Sequence, residues 1–197
     1  MNDREKPLST QESLKLIQQT IYQAKGYFYE SGISGLVYGF AILLCSLLAY
    51  VVAKKAFSFP FSPFYLLVPV FFVQGFIQSN ENKKKKARTF TDEAIDYIWF
   101  GFFLFAIAAF SANFAGLAYI TVTIILFLQG FASFLTGMIA KFYYHKICGI
   151  VCLLIASVSI FMQNPAVYLL LALTAIFVWI IPGFILNTIL KKQQYGR

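Results

Sequence analysis

The chain has 197 residues, of which 59% are hydrophobic and only 12% are charged, and its formal net charge is +8. Soluble domains average about 45 to 50% apolar and about 25% charged residues, so this composition excludes an ordinary water-soluble domain and indicates a polytopic membrane protein. The chain is also too short to add a separate soluble catalytic domain, because its apolar runs leave only short polar stretches between them.

The polar head, residues 1–30, predicts an amphipathic helix on the cytoplasmic side. Residues 9–12 read Ser-Thr-Gln-Glu, which matches a helix capping box, and Leu14, Ile17 and Ile21 follow at the spacing of one helical face. Such a face is typical of a helix that lies on the inner membrane surface. Docking of a cytoplasmic protein partner is the alternative that the sequence leaves open.

Six apolar segments follow the head and predict six transmembrane helices. A helix needs about 20 mostly apolar residues, or about 17 at the short limit, to cross the hydrocarbon, so the two shortest segments must include flanking residues. In lipid every backbone polar group needs an internal partner, which favours helices. The predicted spans form a single domain over residues 31–197 and cover residues 33–53, 64–79, 95–112, 116–140, 147–162 and 166–190.

The basic residues predict the orientation of these spans. Of the 16 Lys and Arg residues, only Lys54 and Lys55 fall on one side of the arrangement. Because basic residues concentrate in cytoplasmic loops, we expect both termini in the cytoplasm. The densest basic run can also attract anionic lipid headgroups, at about 1 kcal/mol per residue. No recognition helix or base-stacking array points to nucleic acid. The run consists of Lys83, Lys84, Lys85, Lys86 and Arg88.

Glycines at matching positions suggest an internal repeat. Five of the 12 glycines precede Phe, one in each helix except the fifth, which has Gly149-Ile150 instead. The pattern predicts three parallel tandem helical hairpins, at about residues 31–80, 91–140 and 145–190, in which small residues let helices approach closely. Independent convergence on packing glycines is the alternative. The predicted packing positions are Gly35, Gly39, Gly75, Gly101, Gly130, Gly149 and Gly183.

The first helix also carries a GxxxG spacing. Gly35 and Gly39 are four residues apart and therefore share one helix face. In membrane helices this spacing is found at dimer contacts, so a homo-oligomer is one interpretation. Packing inside the bundle uses the same small faces and is the other.

Two amides and a proline in the even-numbered helices predict a polar ring. Gln74 and Gln129 each precede a repeated glycine, and Pro182 takes the equivalent place in the sixth helix. An unpaired amide is costly in lipid, and a proline leaves a backbone carbonyl without its helical donor. The ring could line a solute pathway, although interhelical hydrogen bonds that fix the bundle are the simpler interpretation. Asp96, near the start of the third span, is the best ionisable candidate for a gate.

Catalytic and metal-binding chemistry is not expected. His145 is the only histidine, and we expect it at the membrane interface beside Lys146. Cys45, Cys148 and Cys152 lie inside predicted helices, where small packing residues are commoner than metal ligands. The sequence has no phosphate loop, nucleophile elbow or zinc-protease motif, so we predict neither an enzyme nor a bound cofactor.

Three segments resemble a group of uncharacterised six-span inner-membrane proteins of Bacteroidetes. They are residues 8–17 (LSTQESLKLI), 92–102 (DEAIDYIWFGF) and 179–186 (WIIPGFIL). The resemblance extends over most of the chain and implies a bacterial inner-membrane setting, but no activity and no catalytic residue.

Two classes of function remain after these exclusions. The polar ring favours, by a small margin, a small-solute transporter, channel or ligand-binding bundle. The alternative is a membrane-embedded sensor or regulatory subunit that acts on a partner through the amphipathic head and the basic run.

Overall fold

The computed structural model describes residues 32–55, 61–83, 90–112 and 116–195. Every regular element in these ranges is helical, and no β-strand occurs in them. The predicted amphipathic head and the basic run beyond Lys83 lie outside the described residues. The elements are α1 (Gly32–Ala53), a 3₁₀ turn (Pro63–Leu66), α2 (Leu67–Lys83), α3 (Phe90–Phe110), α4 (Ala118–Ile139), α5 (Tyr143–Ser159), α6 (Ala166–Ala175), a π-helical turn (Ile176–Ile180) and α7 (Ile181–Tyr195).

Four described helical stretches are long and apolar enough to cross a membrane. They are Gly32–Ala53, Phe90–Phe110, Ala118–Ile139 and Ala166–Thr188, and the last comprises α6, the π-helical turn and part of α7. Two further helices, Pro63–Ile77 and Tyr143–Ser159, are apolar but shorter. The prediction of an all-α fold is therefore confirmed for the described residues, and four of the helices are candidates to span a membrane.

Local sequence explains how some of these helices are joined. At the end of α4, Lys141 adopts the left-handed backbone conformation with a φ of 53°, and the Phe142 N–H donates to the Gly137 carbonyl at 3.0 Å. The chain therefore turns directly from α4 into α5. Before α6, the Asn164 side chain accepts a hydrogen bond from the Ala166 N–H at 2.9 Å. This bond satisfies one of the donors that the first turn of a helix leaves unpaired.

The closest helix pairs join α4 to α5, and α1 to the last helical stretch. Tyr38 and Ile42 of α1 belong to the same core cluster as Leu171 of α6. In contrast, α5 and α6, which would form the third predicted hairpin, contact each other less. α3 lies at the edge, since only 11% of its span is buried within the chain, against 50% for Ala166–Thr188.

A π-helical turn precedes Pro182. A proline has no backbone N–H, and its ring collides with the carbonyl four residues earlier, so a regular α-helix is interrupted there. The chain widens over Ile176–Ile180, where the Ile181 N–H donates to the Ile176 carbonyl, five residues back. The helix thereby continues through the buried Pro182 into α7.

Glycines of α1 pack against the last helical stretch. A Cβ added at Gly39 would lie 2.7 Å from the Cβ of Trp179, and one added at Gly35 would lie 3.7 Å from the Trp179 carbonyl. Gly183 belongs to the same contact, because a Cβ there would lie 2.8 Å from Leu36. The GxxxG face of α1 is therefore occupied within the chain.

Glycines also bring α4 and α5 together. A Cβ added at Gly149 would lie 2.5 Å from the backbone nitrogen of Phe134, and one added at Gly130 would lie 3.0 Å from the backbone of α5. Gly137, which the repeat did not identify, would meet the Lys146 backbone nitrogen at 2.5 Å. These distances leave no room for a side chain, so the two backbones are in direct contact.

Gly75 and Gly101 have different surroundings from the other repeated glycines. Within the described part of the chain, no atom lies within 4 Å of a Cβ added at either position. The neighbouring Phe76 and Phe100 are 77% and 68% exposed. The packing role of these two glycines stays a prediction, because no described residue is in close contact with them. The three-hairpin repeat stays a prediction.

Candidate functional site

Gln129 lies in the middle of α4 and is fully buried. It is 0% exposed, and neither Nε2 nor Oε1 of its amide has a hydrogen-bond partner among the described residues. A buried polar group without a partner costs about 1–3 kcal/mol. Such groups are rare in folded proteins and call for a specific explanation. Gln129 is therefore the centre of the candidate site.

Two further polar side chains share the face of Gln129 towards the end of α4. Ser133 and Thr136 lie one and two helical turns further along, and both are fully buried. The Ser133 Oγ donates to the His145 carbonyl of α5 at 3.4 Å, whereas the Thr136 hydroxyl has no partner in the described ranges. We call Gln129, Ser133 and Thr136 the polar stripe.

Towards the start of α4, the same face is apolar. Val122 and Leu126 continue it, and both are buried in the hydrophobic core cluster. The Cys152 thiol of α5 donates to the Leu126 carbonyl at 3.5 Å, so this part of the face is closed by α5. The polarity of the face changes at Gln129. The polar atoms of this face that could bind water or a hydrogen-bonding solute therefore lie beside the second half of α4.

Gln74 has a partner on another helix. Its Nε2 donates to the Ser34 Oγ of α1 at 2.6 Å, while its Oε1 is buried with no hydrogen-bond partner among the residues described. This contact is a hydrogen bond between two helices, as expected if the amide of Gln74 fixes the bundle and does not line a solute pathway. Pro182 also lies beside the start of α1, because the adjoining Gly183 packs against Gly32.

The predicted ring of Gln74, Gln129 and Pro182 is thus divided between two regions. Gln74 and Pro182 lie near the first turn of α1, and no hydrogen bond in the described chain joins Gln74 to Gln129. The sequence could not reveal this division, because it does not show that Ser34 is the partner of Gln74.

We expect the hydrogen bond between Gln74 and Ser34 to contribute measurably to the stability of the fold. We expect Ser34→Ala to lower the free energy of unfolding by about 0.5–1.5 kcal/mol, because it removes one hydrogen bond. Ser46→Ala is the matched control on the same helix, since the buried Ser46 hydroxyl has no partner among the described residues. Chemical unfolding of both purified variants in one detergent measures the difference. Equal losses from the two substitutions would contradict the assignment.

The acids at the start of α3 differ in burial. Asp92 is 2% exposed, whereas Asp96, one turn later, is partly exposed. Both interact with other groups of the chain. Asp96 is the candidate gate from the sequence analysis, but Asp92 is the more buried carboxylate. Asp92 lies in the first turn of α3, where the helix dipole favours a negative charge whether the residue is exposed or buried, so the sequence does not indicate that Asp92 is buried.

His145 is more buried than its predicted interface position suggests. It is 7% exposed, and its ring lies 5.3 Å from the ring of Phe142, measured between centroids. The three cysteines are buried and form no disulfide. Within the described ranges, no group of three or more His, Cys, Asp or Glu residues could hold a metal ion.

Comparison of the chain with protein-family models, with curated proteins and with solved structures returned no match. The candidate site is therefore defined by its own residues. Its centre is the buried amide of Gln129, and the polar stripe extends from it towards the end of α4.

Proposed function

We propose that the protein is an inner-membrane protein that binds a small neutral solute along the polar stripe of α4. The observation that carries this proposal is the complete burial of Gln129, with no hydrogen-bond partner for either amide atom among the described residues. An amide in this position is stabilised if water or a solute supplies the missing hydrogen bonds. In membrane proteins, such groups are tolerated where they line a cavity.

We also propose that the protein has the six-span topology predicted from the sequence. All six apolar helices cross the bilayer as three tandem hairpins, and both termini lie in the cytoplasm. Support comes from the position of Lys54 and Lys55, the two basic residues on the opposite side. In this orientation α4 ends at the cytoplasmic surface, so the polar stripe is entered from the cytoplasm. The basic run at Lys83 to Lys86 and Arg88 contacts anionic lipid headgroups on the same surface.

The chemistry of the polar stripe indicates the class of solute. Gln129, Ser133 and Thr136 offer amide and hydroxyl groups and no charge, so they can donate and accept hydrogen bonds without a counter-ion. An ion would lose its hydration at this depth without finding an opposite charge on these side chains. A neutral molecule with several hydrogen-bonding groups is the class that fits.

Cysteine accessibility tests the proposal directly. The variant Gln129→Cys is made in a background in which the three native cysteines are replaced by Ala. Phe131→Cys is the matched control, because Phe131 is on the opposite face of α4 and is 56% exposed to the surroundings of the chain. We expect a membrane-impermeant thiol reagent to label residue 129 in inverted vesicles and to leave residue 131 unlabelled, since only a hydrated thiol ionises and reacts.

The opposite result would refute the hydrated stripe. If residue 129 is labelled from neither side of the membrane, or no faster than residue 131, the second half of α4 is dry. A positive result would justify a screen of neutral solutes for an increase in melting temperature, which wild type would show and Gln129→Met would not.

A regulatory or sensor subunit is the second candidate, and the outward faces of α2 and α3 favour it. Gly75 and Gly101 have no close neighbours in the described chain, and each is next to one exposed aromatic side chain, Phe76 or Phe100. Such faces suit a second membrane helix as well as lipid. Stoichiometric co-purification of a partner from native membranes, lost on Gly101→Leu, would support this role.

A further inference from the structure

A cavity lies beside the first half of α4, whereas the polar stripe lies along the second half. It has a volume of about 220 Å³ and lies between the 3₁₀ turn, the end of α3 and the starts of α4 and α6. None of the eight residues that line it is charged. Gln129 does not line this cavity, and the lining residue of α4 nearest to it in the chain is Ile125, one helical turn earlier.

Three aromatic rings form the walls of this cavity. The centroids of Phe64 and Phe110 are 6.3 Å apart, with an interplanar angle of 77°, and those of Phe64 and Tyr168 are 6.0 Å apart. Aromatic rings attract each other most in edge-to-face or offset arrangements with centroids about 4.5–7 Å apart. A planar ring inserted among these walls would gain such contacts, whereas an alkyl chain would gain dispersion alone.

Hydroxyl groups give the cavity a preference for a hydrogen-bond donor. The Thr121 Oγ1 already donates to the backbone, at 3.1 Å from the Leu117 carbonyl, so its oxygen is left to accept. Ser62, also in the lining, makes no capping hydrogen bond with its side chain. A bound molecule with an O–H or N–H group would find an acceptor beside the rings.

We propose that this cavity binds a small neutral aromatic molecule that carries one hydrogen-bond donor, such as a phenol. An apolar cavity of about 150 Å³ accepts benzene, so 220 Å³ admits one ring with a polar substituent. The size, the ring walls and the hydroxyl acceptor all point to this class. This site is separate from the proposed solute stripe, because the cavity lies beside the first half of α4 and the stripe along the second half.

Fluorine NMR on the full chain in lipid nanodiscs tests this site, with 4-fluorophenol as the probe and empty nanodiscs as the reference. We expect saturable binding to wild type. Ile125→Phe fills the cavity and should weaken binding about tenfold or more. Ile124→Phe is the matched control, because the adjacent Ile124 is 38% exposed and does not line the cavity. It should bind as wild type does.

A second variant separates the ring contacts from the hydrogen bond. Thr121→Val keeps the shape of the side chain and should weaken 4-fluorophenol about 3–10-fold, the effect of one hydrogen bond, while leaving fluorobenzene unchanged. Three outcomes would overturn the proposal: no saturable binding to wild type, equal binding to the two isoleucine variants, or displacement of 4-fluorophenol by octane but not by phenol. The last outcome would identify a lipid acyl chain as the occupant.

Discussion

Replacement of Gln129 by Met is expected to stabilise the protein against unfolding. Met has a similar length and adapts to irregular spaces, so it can fill the position without two amide atoms that lack a partner among the described residues. Removal of a buried polar group without a partner should add about 1–3 kcal/mol to the free energy of unfolding. The gain would accompany a loss of function, as is common where a functional group is kept at a cost in stability.

The measurement compares unfolding of wild type and Gln129→Met in the same detergent without added solute. Gln74→Met is the matched control, because it also removes an amide from an apolar helix but breaks the 2.6 Å bond to Ser34. We expect the two variants to shift stability in opposite directions. If both variants are destabilised to the same extent, the Gln129 amide is hydrogen-bonded within the chain, and the proposal that the polar stripe binds a solute is refuted.

The second large effect concerns the contact between α4 and α5. Gly149→Ala should destabilise the fold by about 1–3 kcal/mol, the usual range for an extra methyl group forced into a packed interface. The added Cβ would lie 2.5 Å from the backbone nitrogen of Phe134, and backbone cannot move aside as a flexible side chain can. The two helices would have to separate along their length.

Gly101→Ala provides the control for this substitution. The chemical change is the same and also occurs inside a helix, but no atom of the described chain lies within 4 Å of the added Cβ. We expect unchanged or slightly raised stability, since Ala is the better helix former. Thermal unfolding of both variants distinguishes the positions. Similar losses at residues 101 and 149 would mean that Gly101 is also in close contact, which a second copy of the chain could provide.

Hydrophobic patterning was sufficient to predict the helices. The predicted segment 33–53 corresponds to α1 at Gly32–Ala53, and 116–140 corresponds to α4 at Ala118–Ile139. Long apolar runs specify helices because the backbone has no other partner in lipid. The shorter segments were also found as helices, but the apolar part of the second, Pro63–Ile77, does not reach the length of a span.

Contacts between helices could not be predicted in the same way. Gln74 and Gln129 precede glycines in similar sequence contexts, yet Gln74 finds Ser34, 40 residues away, while Gln129 finds no described partner. Equivalent positions in a repeat share local sequence but not neighbours, because α2 lies at the edge of the bundle and α4 at its centre. Burial of Asp92 and His145 depends on the same tertiary arrangement.

The π-helical turn before Pro182 changes which side chains of α7 face α1. One extra residue in a helical turn shifts the phase of the later residues by about 100° around the helix axis, since an α-helix has 3.6 residues per turn. With the extra residue in place, Gly183 is the residue that faces α1. Without the extra residue, a bulkier side chain would point at α1. The turn therefore determines which residues of α7 face α1.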